Sequence, residues 1–338
     1  MTRLLSRRSA PREALLATRV RDLRLTLRGS PVERHVRRLL AELKQQRLRR
    51  FRPSFYLTDE WGCPSGQPII GVPFYLAHPA LARIERERND LETPREIMMY
   101  LRHEAGHAFN YAYETYRRPE WRAMFGPFRR HYREDYTAVP FSRNFVRHLP
   151  GWYAQKHPDE DFAETFAVWL APRTGWRRRY QGWPSLAKLE YVERLARELA
   201  DTEPPVPRGR ADWTVEEMNL TVGQMFERTG SRSQALLAAA PDDDIGDVFL
   251  PGTARRKHAR PAWQIVEEHR LPLTDTIAYW TGVRRPLVRA LVNRIVETCR
   301  ARGYQGVRGK EARYLVALTA YGTTLAMNAL ARGKLHRL

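Results

Sequence analysis

Cysteine is almost absent from this chain. Its 338 residues include two, Cys63 and Cys299, which excludes a disulfide-stapled scaffold, a four-cysteine zinc ribbon and a zinc finger built on a close cysteine pair. So few thiols, so far apart, fit a reducing, cytoplasmic setting. Long apolar runs are missing too. The N-terminus, MTRLLSRRSAPREALLATRVRD, is interrupted by Arg before an apolar h-region forms, so no secretory signal is expected. The most apolar late stretch, residues 314–330, contains Thr319, Gly322, Thr323, Thr324 and Asn328. It is too short and too polar for a membrane span and reads as a buried helix. Lysine is scarce: of 58 basic residues, 52 are Arg and 6 are Lys. GC-rich coding produces such a bias, so a net charge of +20 does not by itself demand a polyanionic partner. Its distribution says more. Residues 1–50 carry 15 basic and 4 acidic side chains, residues 253–338 carry 17 and 5, and residues 51–252 carry 26 and 29. Two basic flanks enclose a near-neutral middle, a pattern open to nucleic acid, a membrane surface or an acidic partner.

Hydrophobic periodicity predicts a mainly helical α+β chain with a small antiparallel sheet. Leu15, Leu16, Val20 and Leu23, then Val36, Leu39, Leu40, Leu43 and Leu48, fall at helical spacing. Strand candidates are 54–58 and 69–76, separated by a turn cluster at 62–66. Pro68 and Pro73 push the second strand to a sheet edge or break it. Thr93-Pro94-Arg95-Glu96 is a capping box with Pro at the first helical position, opening a helix that should run toward Arg118 and stop at Pro119. Further helices are expected at 158–171 and 185–201, after a second capping box at Thr214-Val-Glu-Glu217, and in the tail at 262–269, 285–302 and 310–332. Pro204-Pro-Val-Pro207 reads as a linker and 241–246 as a loop. The division expected is a basic helical extension (1–50), a core (51–203), a linker with one helix (204–252) and a basic helical C-terminal region (253–338).

The chemistry concentrates in His103-Glu104-Ala105-Gly106-His107, an HExxH pattern inside the capped helix. Residues four apart on a helix share a face one turn apart, so both imidazoles can reach a single zinc ion. Glu104 points to the flank of that face, where it can touch water at the metal without ligating it. Chance would supply this pattern in about one such sequence in fifty. A second cluster, His157-Pro-Asp-Glu-Asp-Phe-Ala-Glu164, sets Glu160 and Glu164 one turn apart on another helix. One carboxylate can bind metal while the other accepts a hydrogen bond from a ligating His and fixes its tautomer.

Together, Arg102-His-Glu-Ala-Gly-His107 and Tyr153-Ala-Gln-Lys-His-Pro-Asp-Glu-Asp-Phe-Ala-Glu164 resemble the bacterial zinc-binding metallopeptidase family, zincins of the gluzincin kind. Their site pattern is similar to that of the lethal-factor class. Arg52-Pro-Ser-Phe-Tyr-Leu-Thr-Asp-Glu-Trp61, Pro73-Phe-Tyr-Leu-Ala-His-Pro79 and, more weakly, Ala278-Tyr-Trp-Thr-Gly282 extend the likeness over most of 50–335. The resemblance implies a zincin-like core in which Glu160, the first acid of E-x-x-x-E, is the third ligand. Tyr153, seven residues earlier, then lies near the metal. The chain departs from some relatives in having no Cys-rich ribbon at its start, and the resemblance gives the Arg-rich stretch 1–50 no role.

The reading that follows is a zinc metallopeptidase with one catalytic ion held by His103, His107 and Glu160. Three protein ligands leave a fourth position for water. Glu104 acts as general base and Glu164 orients a ligand. Tyr153 shares the oxyanion charge, with His131, Tyr132 and Tyr136 as weaker candidates. The substrate is a peptide or protein, which could lie along the edge strand near Val72–Leu76. A small amide would suit the same chemistry. Two other classes stay open: a nucleic-acid-associated zinc protein that uses its basic flanks, which the Glu third ligand disfavours, and a non-catalytic scaffold stapled by zinc, which would have no use for Glu104.

Overall fold

The structure is a computed structural model that describes residues 12–88, 91–132, 136, 138–227, 244–252, 258–283 and 285–331. The chain divides into two compact units between Glu227 and Arg228, each with its own apolar core.

The helices of the first unit include α1 (Arg12–Ala17), α2 (Glu33–Gln45), α3 (Pro79–Arg88), α4 (Pro94–Ala112), α5 (Pro119–Phe125), α6 (Pro158–Leu170), α7 (Trp176–Arg179) and α8 (Ser185–Glu198). Leu15, Val36, Leu39, Leu43 and Leu48 of the Arg-rich stretch lie in the same core as Phe109, Trp121, Phe162 and Phe166. A buried ion pair adds to this. Arg102 of α4 donates to both carboxylate oxygens of Glu42 on α2, at 2.7 and 2.8 Å. The residue just before the HExxH pattern is thereby tied to the N-terminal segment.

Helix α4 starts where expected. The Thr93 hydroxyl accepts from the Glu96 amide at 3.3 Å, and the Glu96 carboxylate accepts from the Thr93 amide at 2.8 Å, a cap worth about 1 kcal/mol. It ends earlier than expected, at Ala112. Glu114 takes the left-handed conformation (φ 48°), and the buried Thr115 hydroxyl donates to the Asn110 side chain at 2.5 Å, leading into a short 3₁₀ turn. Pro119 therefore opens α5 at its first turn instead of stopping α4. The second capping box also shifts. Thr214 donates to the Glu217 carboxylate at 2.7 Å but starts only a turn. The reciprocal pair forms at Thr221 and Gln224, 2.9 and 3.2 Å, ahead of helical residues 222–227.

The expected antiparallel sheet is corrected. β1 (Ser54–Thr58) and β2 (Ile69–Pro73) pair in parallel, with Ser54 opposite Ile69 and Thr58 opposite Pro73. The connection does not fold straight back as a hairpin. Its Gly62 instead makes an antiparallel bridge to Gly71 on the far side of β2, with the Gly71 amide donating to the Gly62 carbonyl at 2.7 Å. Gly71 permits this approach, since a Cβ there would meet the Thr58 methyl at 2.7 Å and the Gly62 carbonyl oxygen at 3.2 Å. On that side the bridge reaches Gly71 alone, but all five residues of β2 are buried, and residues 74–77 turn into a 3₁₀ helix after Pro73 instead of continuing the strand.

The second unit packs helices Ala262–Glu268, Arg270–Thr281, Arg285–Ala301 and Glu311–Ala331 around Ile265, Val266, Ile277, Val288, Val292 and Leu318. An antiparallel pair, Ala259–Pro261 with Gln305–Val307, lies beside them. The 270–281 helix was not expected, whereas the other three fall near their predicted spans. Of the expected loop at 241–246, residues 241–243 lie outside the described residues and 244–247 form a 3₁₀ turn. Among the described residues, no helix is long and apolar enough to cross a membrane. Both cysteines are free thiols.

Candidate metal centre

Helices α4 and α6 cross at their small residues. A Cβ on Gly106 would stand 2.7 Å from the Ala163 Cα and 2.9 Å from the Ala163 carbonyl oxygen, so the two backbones are in contact at this point. Every residue of α6 is buried, as is α4 throughout 101–112. A helix buried on all sides normally carries only apolar residues, yet α6 brings in four carboxylates: Asp159, Glu160, Asp161 and Glu164. Three lie in its first turn, where the helix dipole favours anions. His157 caps that end. Its Nε2–H donates to the Arg130 carbonyl at 2.8 Å, and its Nδ1 accepts from the Asp159 amide at 3.1 Å.

Each acid has an assigned partner. Glu164 accepts from His103 Nδ1 at 2.9 Å and, with its other oxygen, from the Leu149 amide at 2.9 Å. Asp159 pairs with His107 Nδ1 at 3.0 Å and accepts from the Asn110 amide at 2.7 Å and the Tyr111 hydroxyl at 2.5 Å. Asp161 binds Lys188 Nζ at 2.6 Å. Glu160 Oε2 lies 3.0 Å from His103 Nε2 and 3.1 Å from His107 Nε2. With both Nδ1 atoms engaged by carboxylates, both Nε2 atoms are turned inward, 3.1 Å from each other.

Those three inward atoms form a nearly equilateral triangle. Ligands held at about 2.0–2.1 Å by a tetrahedral zinc ion stand about 3.3 Å apart, so the triangle matches three corners of such a site to within a few tenths of an ångström. Two imidazoles and a carboxylate are also a donor set suited to zinc. Among the described residues, His103, His107 and Glu160 form the group whose ligand atoms all lie within 4.8 Å of one another, and all three are buried. The residues present fit the ion.

The electrostatics are those of crowded charge. Burial alone would lower the His103 pKa, but its bonds to Glu160 and Glu164 overcome this and raise it to about 9. His107 is raised as well, with burial opposing and the Asp159 and Glu160 charges prevailing. Glu160 is held well below the usual carboxylate range, because the two imidazoles outweigh its desolvation. Burial pushes the Glu104 carboxyl up, against the pull of His103 and His107. Burial and the Glu160 charge raise the Tyr153 phenol, which keeps it a proton donor.

Residues 74–174 match the model of a family described as "Putative zinc-binding metallo-peptidase". The match covers under a third of the chain. It takes in α3 to α6 and with them His103, Glu104, His107, Tyr153, Glu160 and Glu164, but neither the 52–61 stretch nor the Ala278–Gly282 region. Among curated proteins and among solved structures, nothing matched the chain.

The remaining sequence candidates fall at different distances. The Tyr153 ring lies 5.5 Å from that of His103. Tyr132, a weak candidate by sequence, donates to Glu160 Oε1 at 2.6 Å. Tyr136 instead donates to the Gly151 carbonyl, and His131 is exposed. Sequence reasoning missed Asp159 and its partners. A signal existed, because Asn110 and Tyr111 follow His107 by three and four residues and so share its helix face; polar groups there imply a common acceptor.

Proposed function

We propose that this chain is a zinc-dependent metallopeptidase of the gluzincin type, with His103, His107 and Glu160 holding one zinc ion and Glu104 serving as general base for hydrolysis of peptide bonds. The observation that carries the reading is the triangle of His103 Nε2, His107 Nε2 and Glu160 Oε2, with sides of 3.0–3.1 Å, set between two buried helices. Its place inside the stretch matched by a zinc-binding metallopeptidase family supports it. We take α4, α6 and the β1–β2 pair as a zincin-like core, a reading that rests on the motif and not on any structural neighbour.

A zinc ion in this donor set would supply Lewis acidity and acidify a bound water toward neutrality. The chain's own residues do the rest. Glu104, raised by burial, is suited to take a proton at its carboxylate and return it to the leaving amine. Tyr153, kept protonated, donates a hydrogen bond where charge develops on the substrate oxygen. Glu164 and Asp159 hold the two imidazoles in one tautomer and one orientation. A purely structural zinc staple would gain nothing from Glu104, whose buried carboxylate carries a desolvation cost. The free thiols favour a reducing, cytoplasmic setting.

The deciding variant is Glu104→Gln. Metal analysis should find one zinc per chain retained, while hydrolysis of a peptide library read by mass spectrometry falls by about 10²–10⁴-fold. Undiminished cleavage by that variant removes Glu104 from the mechanism.

A further inference from the structure

We propose that Tyr132 fixes Glu160 as a one-oxygen ligand and is therefore a positioning residue of the metal site. The inference rests on the reading of Glu160 as a ligand and goes beyond it, because it assigns the carboxylate's second oxygen.

The two oxygens of Glu160 have separate tasks. Oε2 faces both His Nε2 atoms at 3.0 and 3.1 Å, while Oε1 accepts from the Tyr132 hydroxyl at 2.6 Å. A carboxylate with an idle second oxygen can rotate until both oxygens reach the ion, raising its coordination number and filling the corner that water needs. A phenol bonded to Oε1 opposes that rotation, and a hydrogen bond to an ionised oxygen is about twice as strong as a neutral one.

Tyr132 is 41% exposed, so core packing does not hold it. Three contacts do. Its ring lies 5.3 Å from that of His157, the Lys156 ammonium sits 4.5 Å from its centroid, and its hydroxyl is 3.4 Å from that of Tyr153. His157 is the N-cap of α6, three residues before Glu160. Tyr132 is thus anchored to the same helix end as the ligand it would position. Lys156 also reaches the Tyr153 ring, at 5.4 Å, so one cation braces both phenols. The pair divides the work: Tyr132 serves the ligand, while Tyr153, with its ring beside His103, stays available to substrate.

The test is Tyr132→Phe in the full chain, which removes the hydroxyl and keeps the ring. Zinc affinity, measured by competition with a chromophoric chelator, should fall about 10–100-fold, the usual effect of losing a partner behind a ligand. The visible absorption of the cobalt-substituted protein should weaken as four-coordinate geometry is lost. Melting of the metal-free protein should fall by less than the loss of zinc affinity implies, because the bond is lost at a residue open to water. Tyr153→Phe, which shares the Lys156 contact but has no bond to Glu160, should leave zinc affinity within about threefold of wild type. Wild-type affinity and cobalt spectrum in Tyr132→Phe overturn the proposal, as does lost affinity accompanied by an equal loss of metal-free stability. Glu160→Ala separates the two levels. If it retains zinc, the ligand reading fails. If it loses zinc while Tyr132→Phe does not, only the role of Tyr132 fails.

Discussion

Replacing Gly106 with Ala tests whether α4 and α6 are pressed together as the proposed metal site requires. The added methyl would stand 2.7 Å from the Ala163 Cα, 2.9 Å from the Ala163 carbonyl oxygen and 3.1 Å from the Phe166 Cβ. Ordinary contact begins near 3.4 Å, so the helices must part by about 0.5–0.7 Å, and the obstruction is backbone that cannot rotate away. Overpacking of this kind costs about 1–3 kcal/mol, while Ala in place of Gly inside a helix returns about 1 kcal/mol. The net loss is about 0–2 kcal/mol, or at most roughly 8 °C in melting temperature for a unit of this size. Zinc binding should suffer more. Glu160 lies one turn before Ala163 and moves with it, away from two imidazoles now 3.0 and 3.1 Å distant. Calorimetry of the metal-free protein and chelator competition for zinc read the two effects separately. The expected result is a small stability loss with at least a tenfold loss of affinity. Wild-type zinc affinity in Gly106→Ala would refute the claim that the site depends on this close crossing.

Other outcomes follow from charges away from the triangle. Glu42→Ala leaves Arg102 buried without its counter-charge and should cost about 3–5 kcal/mol, because an unpaired buried ion is worse than no ion. The double variant Glu42→Met/Arg102→Met should recover most of that loss in denaturant titrations, and a double variant as unstable as the single would contradict the account. His148 is half-buried, and its Nε2 bonds the Met99 carbonyl at 2.9 Å. Burial is the main force lowering its pKa, with His103 and Arg102 acting the same way and Glu164 resisting. Its folded pKa lies below the unfolded value of about 6.5, so the unfolded chain takes up a proton that the folded one refuses, and stability falls as pH drops below about 6.5. Against His148→Gln, wild type should hold a constant stability difference above about pH 7 and lose ground below it. A difference unchanged between about pH 8 and pH 5 would remove His148 from that loss.

What was legible in the sequence is what helical spacing and local capping specify. His103 and His107 sit four apart, Glu160 and Glu164 sit four apart, and Thr93 with Glu96 marks where α4 begins. These are relations within one helix, set by 3.6 residues per turn. Glu164 reaches His103 and Asp159 reaches His107 because these two acids face successive turns of α4, whereas Asp161 faces Lys188. Asp159 was not found, since its role depends on how α6 lies across α4, and Gly106 and Ala163 decide that only in three dimensions. Tyr132 sits in a stretch with no periodicity, 28 residues before the carboxylate it touches. The sheet was misread for a similar reason. A ten-residue connection rich in Gly and Pro looks like a hairpin, and nothing local reveals that Gly62 takes the hairpin partner's place beside Gly71. Glu114 in a left-handed conformation ended α4 early, at a residue with no glycine to announce it.

The acids of α6 permit one further step. Burying a carboxylate is costly even when it is well paired, and replacing a buried ion pair with apolar side chains is often neutral or stabilising. Four such residues in a fully buried thirteen-residue helix are therefore hard to explain by stability alone. Asp161 is the exception that calibrates the rest. It binds a lysine, burial pushes its carboxyl up to about 7, and one of its oxygens has no partner, as expected of a charge the fold merely tolerates. Asp159, Glu160 and Glu164 instead converge with full sets of donors on two imidazoles, and each His Nδ1 is matched to its own carboxylate. An arrangement that spends its hydrogen bonds on aiming two Nε2 atoms at one point breaks the local rule for buried helices in a single direction, which is what a site built around a cation requires.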